Sequence, residues 1–413
     1  MGTIYTAETL ITADQGGVSI ESFHGSGILV DGTKIMALAP LGDLVSEGHS
    51  LRDFGPGSTI LPGLIDTHVH LALDGSPDPL TAFNNSDDRQ KFACMLKNAR
   101  ELLSAGVTTA RDLGAPDLLD QAAKRTIDSG YARGPRLLTV TAPLTITGGH
   151  CWFFGGECEG VEEVRRKVRA ARRDGADCIK IMSTGGDLTP GTMPSQPQFT
   201  LEELRAIVEE AHRYGLMVTA HAHGEEGIRR AIEAGVDSLE HFSFRMADGS
   251  RQERPELIQL AASRGVFVCS TLNIAWFTVM DGSEFVPFDM MRKFVDQGIR
   301  IVAGTDAGIG HASHLEYVAG LEGMAALGMT NDEVLLAATA SAATSLGLKG
   351  VTGALSPGHD ADLVAIMGDP RRNLASLRNV MGVVTRGAEY HPEFTSTRSW
   401  NDAVVAPKYH PHS

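Results

Sequence analysis

Cysteine is scarce. There are five in 413 residues, Cys94, Cys151, Cys158, Cys178 and Cys269, scattered, odd in number and never spaced as CxxC. This argues against a disulfide framework or a cysteine zinc knuckle, and predicts reduced thiols in a cytoplasmic setting. Positive charge is in deficit: 36 Lys and Arg stand against 51 Asp and Glu, a net −15. No basic stripe is present to neutralise phosphates, so no nucleic-acid partner is expected, and the charge serves solubility. No apolar run reaches the roughly 18 residues a membrane helix needs. The opening Met-Gly-Thr-Ile-Tyr-Thr-Ala has neither the basic nor the apolar part of a signal peptide. Neither a membrane span nor a membrane partner is therefore expected. No long helical period occurs before residue 85.

What is present is a globular composition, 42% hydrophobic and 21% charged. The length accommodates a large barrel with something smaller attached. The first ~55 residues read as short strands, at Ser19–Phe23, Gly27–Val30 and Lys34–Ala39, with Asp31-Gly32 as a hairpin signal. From residue 60 short apolar runs alternate with helical stretches. The runs Ile60–Ile65, Val107–Arg111, Arg136–Thr141, Asp177–Met182, Leu216–Ala220, Asp237–Glu240, Val266–Ser270 and Arg300–Gly304 each precede a helical pattern. Those patterns are near Asp88–Ala105, then Asp117–Ser129, Val161–Asp174, Leu201–Tyr214, Glu225–Ala234, Arg254–Arg264, Phe288–Gln297 and Leu315–Leu327. Glycine sits between helix and next strand at Gly106, Gly175, Gly215, Gly235, Gly265 and Gly298, where a left-handed helix end is cheap. Repeated strand–helix units predict an α/β fold, a (β/α)8 TIM barrel over residues 59–349. Past Gly350 the pattern turns β again, at Gly353–Ile366 and Val380–Gly387. Residues 1–58 and 350–413 are therefore expected to form one small β-sandwich domain. The last ~20 residues, polar with Pro and His, are expected to be loosely ordered.

The chemistry begins in Leu61-Pro-Gly-Leu-Ile-Asp-Thr-His68-Val-His70. In a strand the i, i+2 spacing places both imidazoles on one face, half of a metal site. Catalytic groups of such barrels sit at the C-terminal ends of strands. Lys180, His221 and His223, His241 and Asp306 stand at the ends of strands four, five, six and eight. Each has a bland alternative: Lys180 can snorkel, His221 or His223 can be a satisfied core histidine, and Asp306 can cap the following helix. Metal-ligand residue types at the rim of five strands favour the metal reading.

These motifs together resemble the amidohydrolase superfamily. The branch is that of imidazolonepropionase-like proteins, Xaa-Pro dipeptidases with a lysine ligand, and mycotoxin amidases such as ochratoxinase. The resemblance runs from the Asp31-Gly32 hairpin through Pro62–His70 to Gly358-His-Asp-Ala-Asp-Leu-Val364. It implies that Lys180 is carboxylated and bridges two divalent cations. His68, His70 and Asp306 would hold one, and His221 and His241 the other. His221 is preferred to His223 because the family spacing falls on it. His223, on the same side of the strand, is then expected to contact substrate. Zinc is the default ion for such donors, with Mn, Co and Ni as fits. Two cations roughly 3.5–4 Å apart would acidify a water and polarise a carbonyl, with Asp306 as ligand and general base. The resemblance also implies that His150, in the loop Thr147-Gly-Gly-His150-Cys-Trp-Phe-Phe, contacts substrate and polarises its carbonyl. Trp152, Phe153 and Phe154 either wall an apolar pocket or pack the loop down. Thr184-Gly-Gly186 reads as room for substrate. Arg111 and Arg245, near strand ends two and six, are candidates to bind a substrate carboxylate. His311 and His314 are expected to belong to the loop after strand eight.

The expected function is hydrolysis of a small-molecule amide with a carboxylate on the amine side, an Xaa-Pro dipeptide or an N-acyl amino acid, with an aromatic acyl group suiting Trp152–Phe154. A cyclic amide or imidazolone, or a lactone or ester, is the competing substrate class. A non-catalytic scaffold is disfavoured because every ligand position is filled. Relatives of this kind often assemble, which makes a homo-oligomer an open option.

Overall fold

A computed structural model describes residues 2–14, 19–45, 48–275 and 290–400. The apolar run Ile60–Ile65, expected as one strand, is two strands that part at Gly63. Before the glycine, β7 (Ser58–Pro62) joins a sheet made by both chain ends. After it, β8 (Leu64–Val69) opens the parallel series. Gly63 is packed so closely that a Cβ there would lie 2.0 Å from Thr108 Oγ1.

The parallel series continues with β9 (Val107–Asp112), β10 (Arg136–Thr139), β11 (Cys178–Met182), β12 (Met217–Ala222), β13 (Ser238–His241), β14 (Phe267–Cys269) and β15 (Arg300–Ile301). Three strands form one arc, β10-β9-β8, and five the other, β11 to β15 in order. Backbone hydrogen bonds span both seams. Leu144 N donates to Lys180 O at 2.8 Å, and Met182 N to Leu144 O at 2.8 Å. At the other seam Thr67 N donates to Ala303 O at 3.0 Å, and Asp306 N to His68 O at 2.8 Å. The expected eighth strand, Arg300–Gly304, is thus regular only over Arg300–Ile301, and its continuation is held by single bonds to β8 and β14.

The expected helices appear at Asp88–Ser104, Leu119–Asp128, Val161–Arg173, Leu201–Arg213, Glu225–Ala234, Pro255–Arg264 and Tyr317–Ala326. Met290–Asp296 is the described part of the Phe288–Gln297 pattern, whose start lies outside the described residues. Sequence caps fix several starts. Asp87 with Gln90, and Thr200 with Glu203, form reciprocal capping boxes. All six helix-to-strand glycines take positive φ. Helices at Pro79–Asn85, Asn331–Ala337 and Ala340–Ser345 were not foreseen; they are too short for a long period. One large apolar core joins the strands to the surrounding helices.

At the chain ends, β1 (Thr3–Thr6), β4 (Ser26–Asp31), β5 (Lys34–Pro40) and β6 (Ser50–Asp53) form one sheet, ordered β5-β4-β1-β6. The second sheet is β18-β17-β16-β7-β2-β3, with β2 (Thr9–Ala13), β3 (Ile20–His24), β16 (Leu363–Met367), β17 (Val380–Thr385) and β18 (Ala388–Tyr390). Tyr5, Ile28, Val30 and Ile35 of the first share a core with Leu10, Ile60, Leu363 and Val384 of the second. The Asp31-Gly32 hairpin is present, with Gly32 at φ +57°. The strand expected over Gly353–Ile366 is regular only from Leu363, because Gly353 and Gly358, both at positive φ, turn the chain first. Part of the C-terminal stretch is docked rather than loose. Ser396 Oγ donates to Glu316 Oε2 at 2.7 Å, and Trp400, buried, packs on Gly323. Residues 401–413 lie outside the described residues. Among the described residues no helix is long and apolar enough to cross a membrane.

Candidate active site

The strand ends bring the six expected ligands together in a buried cluster. His68 and His70 leave the end of β8 on one face, and both Nε2 atoms lie 3.2 Å from Asp306 Oδ1. Donor atoms of these three residues lie within 4.8 Å of one another. His221 and His241, from β12 and β13, form a second group with His223 on the same criterion. Its ring centroids are 4.5 Å apart for His221–His241, 4.6 Å for His221–His223 and 4.3 Å for His223–His241. The two groups meet at His68 and His241, whose rings are 5.4 Å apart. His223 is therefore as near the second group as its two expected ligands are to each other. Its Nδ1 is 2.7 Å from Ser243 Oγ.

Lys180, on β11, is 1% exposed, and its Nζ has no hydrogen-bond partner among the described residues. A buried ammonium without acceptors is costly. Burial lowers its pKa, against the pull of Glu240 and Asp306, toward the neutral amine. In its charged form it would disfavour protonation of His68, His70, His150, His221 and His241, members of both groups among them. Burial, then repulsion from His241 in the case of His221 and from His223 in the case of His241, holds both well below the ordinary histidine range. These imidazoles are neutral, the form that binds metal. Burial raises Asp306, but His68 and His70 outweigh it and keep the carboxylate ionised. Imidazoles with lowered pKa at His70, His221 and His241, the His68 ring, an ionised carboxylate and an orphaned buried amine make a donor set that fits divalent cations. Two of the expected ligands hold left-handed backbone, His241 at φ 73° and Asp306 at φ 58°, a strain that clusters at functional sites.

His150 is brought in by its loop. It is buried, its ring centroid is 4.5 Å from that of His221, and burial, then the Lys180 charge, lowers its pKa to about 3. Gly186 abuts the imidazole so closely that a Cβ would lie 2.4 Å from His150 Cε1. Gly186, in the Thr184-Gly-Gly186 segment expected to give room for substrate, is thus a seat for His150. Phe154 is the aromatic that faces the ligands, stacked with His70 at 6.2 Å. Trp152 is 48% exposed at the loop surface. Arg245 follows β13 and donates from its backbone to His223 O at 3.0 Å. Arg111 is not at the rim, as its candidacy required. It is 1% exposed, with Nη2 2.7 Å from Glu240 Oε1 and Nε donating to Thr67 O at 2.8 Å. Among the described residues His311 and His314 join no metal-capable group.

Glu240 was missed by the sequence reading. It is fully buried, and its Oε2 lies 2.7 Å from His68 Nδ1. Thr219 Oγ1 also donates to it. Burial pushes its pKa up, but Arg111 first and then His68 hold the carboxylate well below its usual range. The signal was present, a glutamate inside a buried apolar strand beside His241. Cys269, on β14, was also missed; its sulfur lies within 4.8 Å of His68 and Glu240 donor atoms.

The amidohydrolase family pattern matches residues 59–389. Ochratoxinase of Aspergillus niger is 31% identical over 356 residues, covering 76% of this chain and 71% of that one. Imidazolonepropionase of Rhizorhabdus wittichii is 26% identical over 389 residues, covering 82% of this chain and 89% of that one. The crystal structure of an Xaa-Pro dipeptidase with bound methionine in its active site superposes with a TM-score of 0.84 at 29% identity, covering 95% of this chain and all (100%) of that one. The chain belongs to the amidohydrolase family and is an enzyme, a hydrolase acting on carbon–nitrogen bonds.

Proposed function

We propose that this hydrolase is a binuclear metal amidase that releases an amino acid from an Xaa-Pro dipeptide or an N-acyl amino acid. The observation that carries the reading is the buried amine of Lys180, left without a hydrogen-bond partner on the strand paired with that of His221, together with two metal-capable groups of side chains. In this reading CO2 adds to the neutral Nζ and a proton leaves, and the resulting carbamate would supply anionic oxygen donors to the cations. His68, His70 and Asp306 hold one divalent cation, and His221 and His241 the other, with zinc the first expectation. When bound, two such ions supply an acidified water and polarise a carbonyl. Asp306 takes the proton of the attacking water at a carboxylate oxygen and delivers it to the leaving nitrogen. His150 orients the substrate carbonyl, and His223 contacts the substrate beside it. Trp152, exposed at the mouth, receives an apolar acyl group, and Arg245 the substrate carboxylate.

The proposal extends to the frame. The two arcs are read as one (β/α)8 barrel, and the two terminal sheets as a β-sandwich built from residues 1–58 and 350–413. Five unpaired cysteines suit a cytoplasmic setting. A small-molecule amide is the proposed partner, with no nucleic acid or membrane. The resemblance to imidazolonepropionase keeps a cyclic amide as the second reading.

Metal analysis of the purified enzyme, paired with Lys180→Ala, tests the reading against a panel of N-acyl amino acids and Xaa-Pro dipeptides. The expected result is about two divalent ions per chain, with metal and activity both lost in the variant. A single ion, with Lys180→Ala harmless, would sink the binuclear mechanism.

A further inference from the structure

We propose that Arg245 and Arg251 form a carboxylate-binding subsite at the wall of the active site. Asp187 is its built-in competitor, so the enzyme selects amides whose amine side carries a free carboxylate. The inference rests on the amidase reading above and adds the residues that set its selectivity.

The chain leaves β13 at His241 and folds back on itself. An antiparallel bridge sets Arg245 opposite Arg251. Arg245 is tied to the site by its backbone N–H, which donates to His223 O at 3.0 Å. Both arginines therefore stand on the same folded-back segment that is tied to His223. Arg245 Nη1 is 3.0 Å from Asp187 Oδ2. The arginine side chain is 16% exposed and the aspartate 52%. Asp187 directly follows Gly186, the residue packed on His150. The ion pair thus closes the wall between His150 and His223, the two histidines assigned to substrate.

A half-exposed ion pair of this kind contributes little free energy. A substrate carboxylate carried in by the rest of its molecule can take the place of Asp187, which then turns into water. The planar guanidinium forks suit a carboxylate in two parallel bonds. A carboxylate on the amine side would be held at Arg245 while its amide lies toward His150 and the ligand groups. A substrate without that charge leaves Asp187 in place and gains nothing from either arginine.

The test uses the full-length, metal-loaded enzyme with N-benzoyl-L-phenylalanine and its carboxamide. The ratio of their kcat/KM values is the readout. Wild type is expected to favour the carboxylate by about tenfold or more. Asp187→Asn should raise the ratio through a lower KM for the carboxylate, and Arg251→Gln should lower it. Calorimetric binding of L-phenylalanine against L-phenylalaninamide reads the same subsite without turnover. Equal binding of the two, or a ratio that Asp187→Asn leaves unmoved, overturns the subsite. An Asp187→Asn effect confined to N-benzoyl-L-arginine overturns it too, by assigning Asp187 to a substrate cation. Preferential binding of L-phenylalanine with no hydrolysis of any amide would leave the subsite standing and remove the amidase reading.

Discussion

His68 Nδ1 lies 2.7 Å from Glu240 Oε2, so the imidazole that faces Asp306 through Nε2 is held from behind by an ionised carboxylate. Because Glu240 is ionised, it accepts, and His68 carries its proton on Nδ1. With Nδ1 so held, a cation that displaced the Nε2 proton favoured by Asp306 would meet the Nε2 lone pair, as metal-binding histidines require.

Glu240→Gln should therefore weaken metal retention by about 10–100-fold, the usual effect of losing the group that orients a ligand histidine. It should also destabilise the fold, since the buried Arg111 guanidinium loses its charge partner, a change of about 3–5 kcal/mol. Chelator competition measures the first and urea unfolding the second. Wild-type metal affinity in the variant would show that Glu240 does not position His68.

Gly186→Ala tests the seat of His150. The new methyl would meet the imidazole at 2.4 Å, and the ring, at the end of a side chain, can swing away. The fold and metal content should survive while kcat/KM falls by about 10²-fold, as for a misplaced catalytic group. Full activity in the folded, metal-loaded variant would remove His150 from the reaction.

Asp120 gives the pH prediction. Burial raises its pKa from 3.8 to about 7, even though the backbone N–H groups of Thr141 and Gln121 donate to it, each at 2.7 Å. The folded state binds this proton more tightly than the unfolded chain does. Asp120 therefore costs nothing below its unfolded pKa, and its penalty grows as pH rises from there to about 7. The full penalty is of order 4 kcal/mol. Asp120→Asn carries no such charge, so its stability relative to wild type should improve between pH 5 and pH 8. Unfolding free energies of both proteins at the two pH values check this, and a constant difference would contradict it.

Much of the frame was legible because its causes are local. Apolar runs, capping residues and the glycines at helix ends are read along the chain, and they place most strands and helices. Ile60–Ile65 misled because its split depends on the close approach of Gly63 to Thr108, 45 residues away in sequence. The short strands β1, β2 and β6 escaped because only pairing with distant partners makes them regular.

The sequence by itself determined the ligand types and the faces they share: His68 with His70, and His221 with His223, follow from the period of a strand. It also determined family membership, through motifs spread over most of the chain. Only the tertiary structure decided which charges are partners. Arg111 looked like a rim arginine until folding buried it against Glu240, and Gly186 looked like open space until His150 packed on it. The reason is physical. The direction of a side chain is set by its own backbone, whereas its neighbours and its dielectric are set by strands that arrive from elsewhere in the chain.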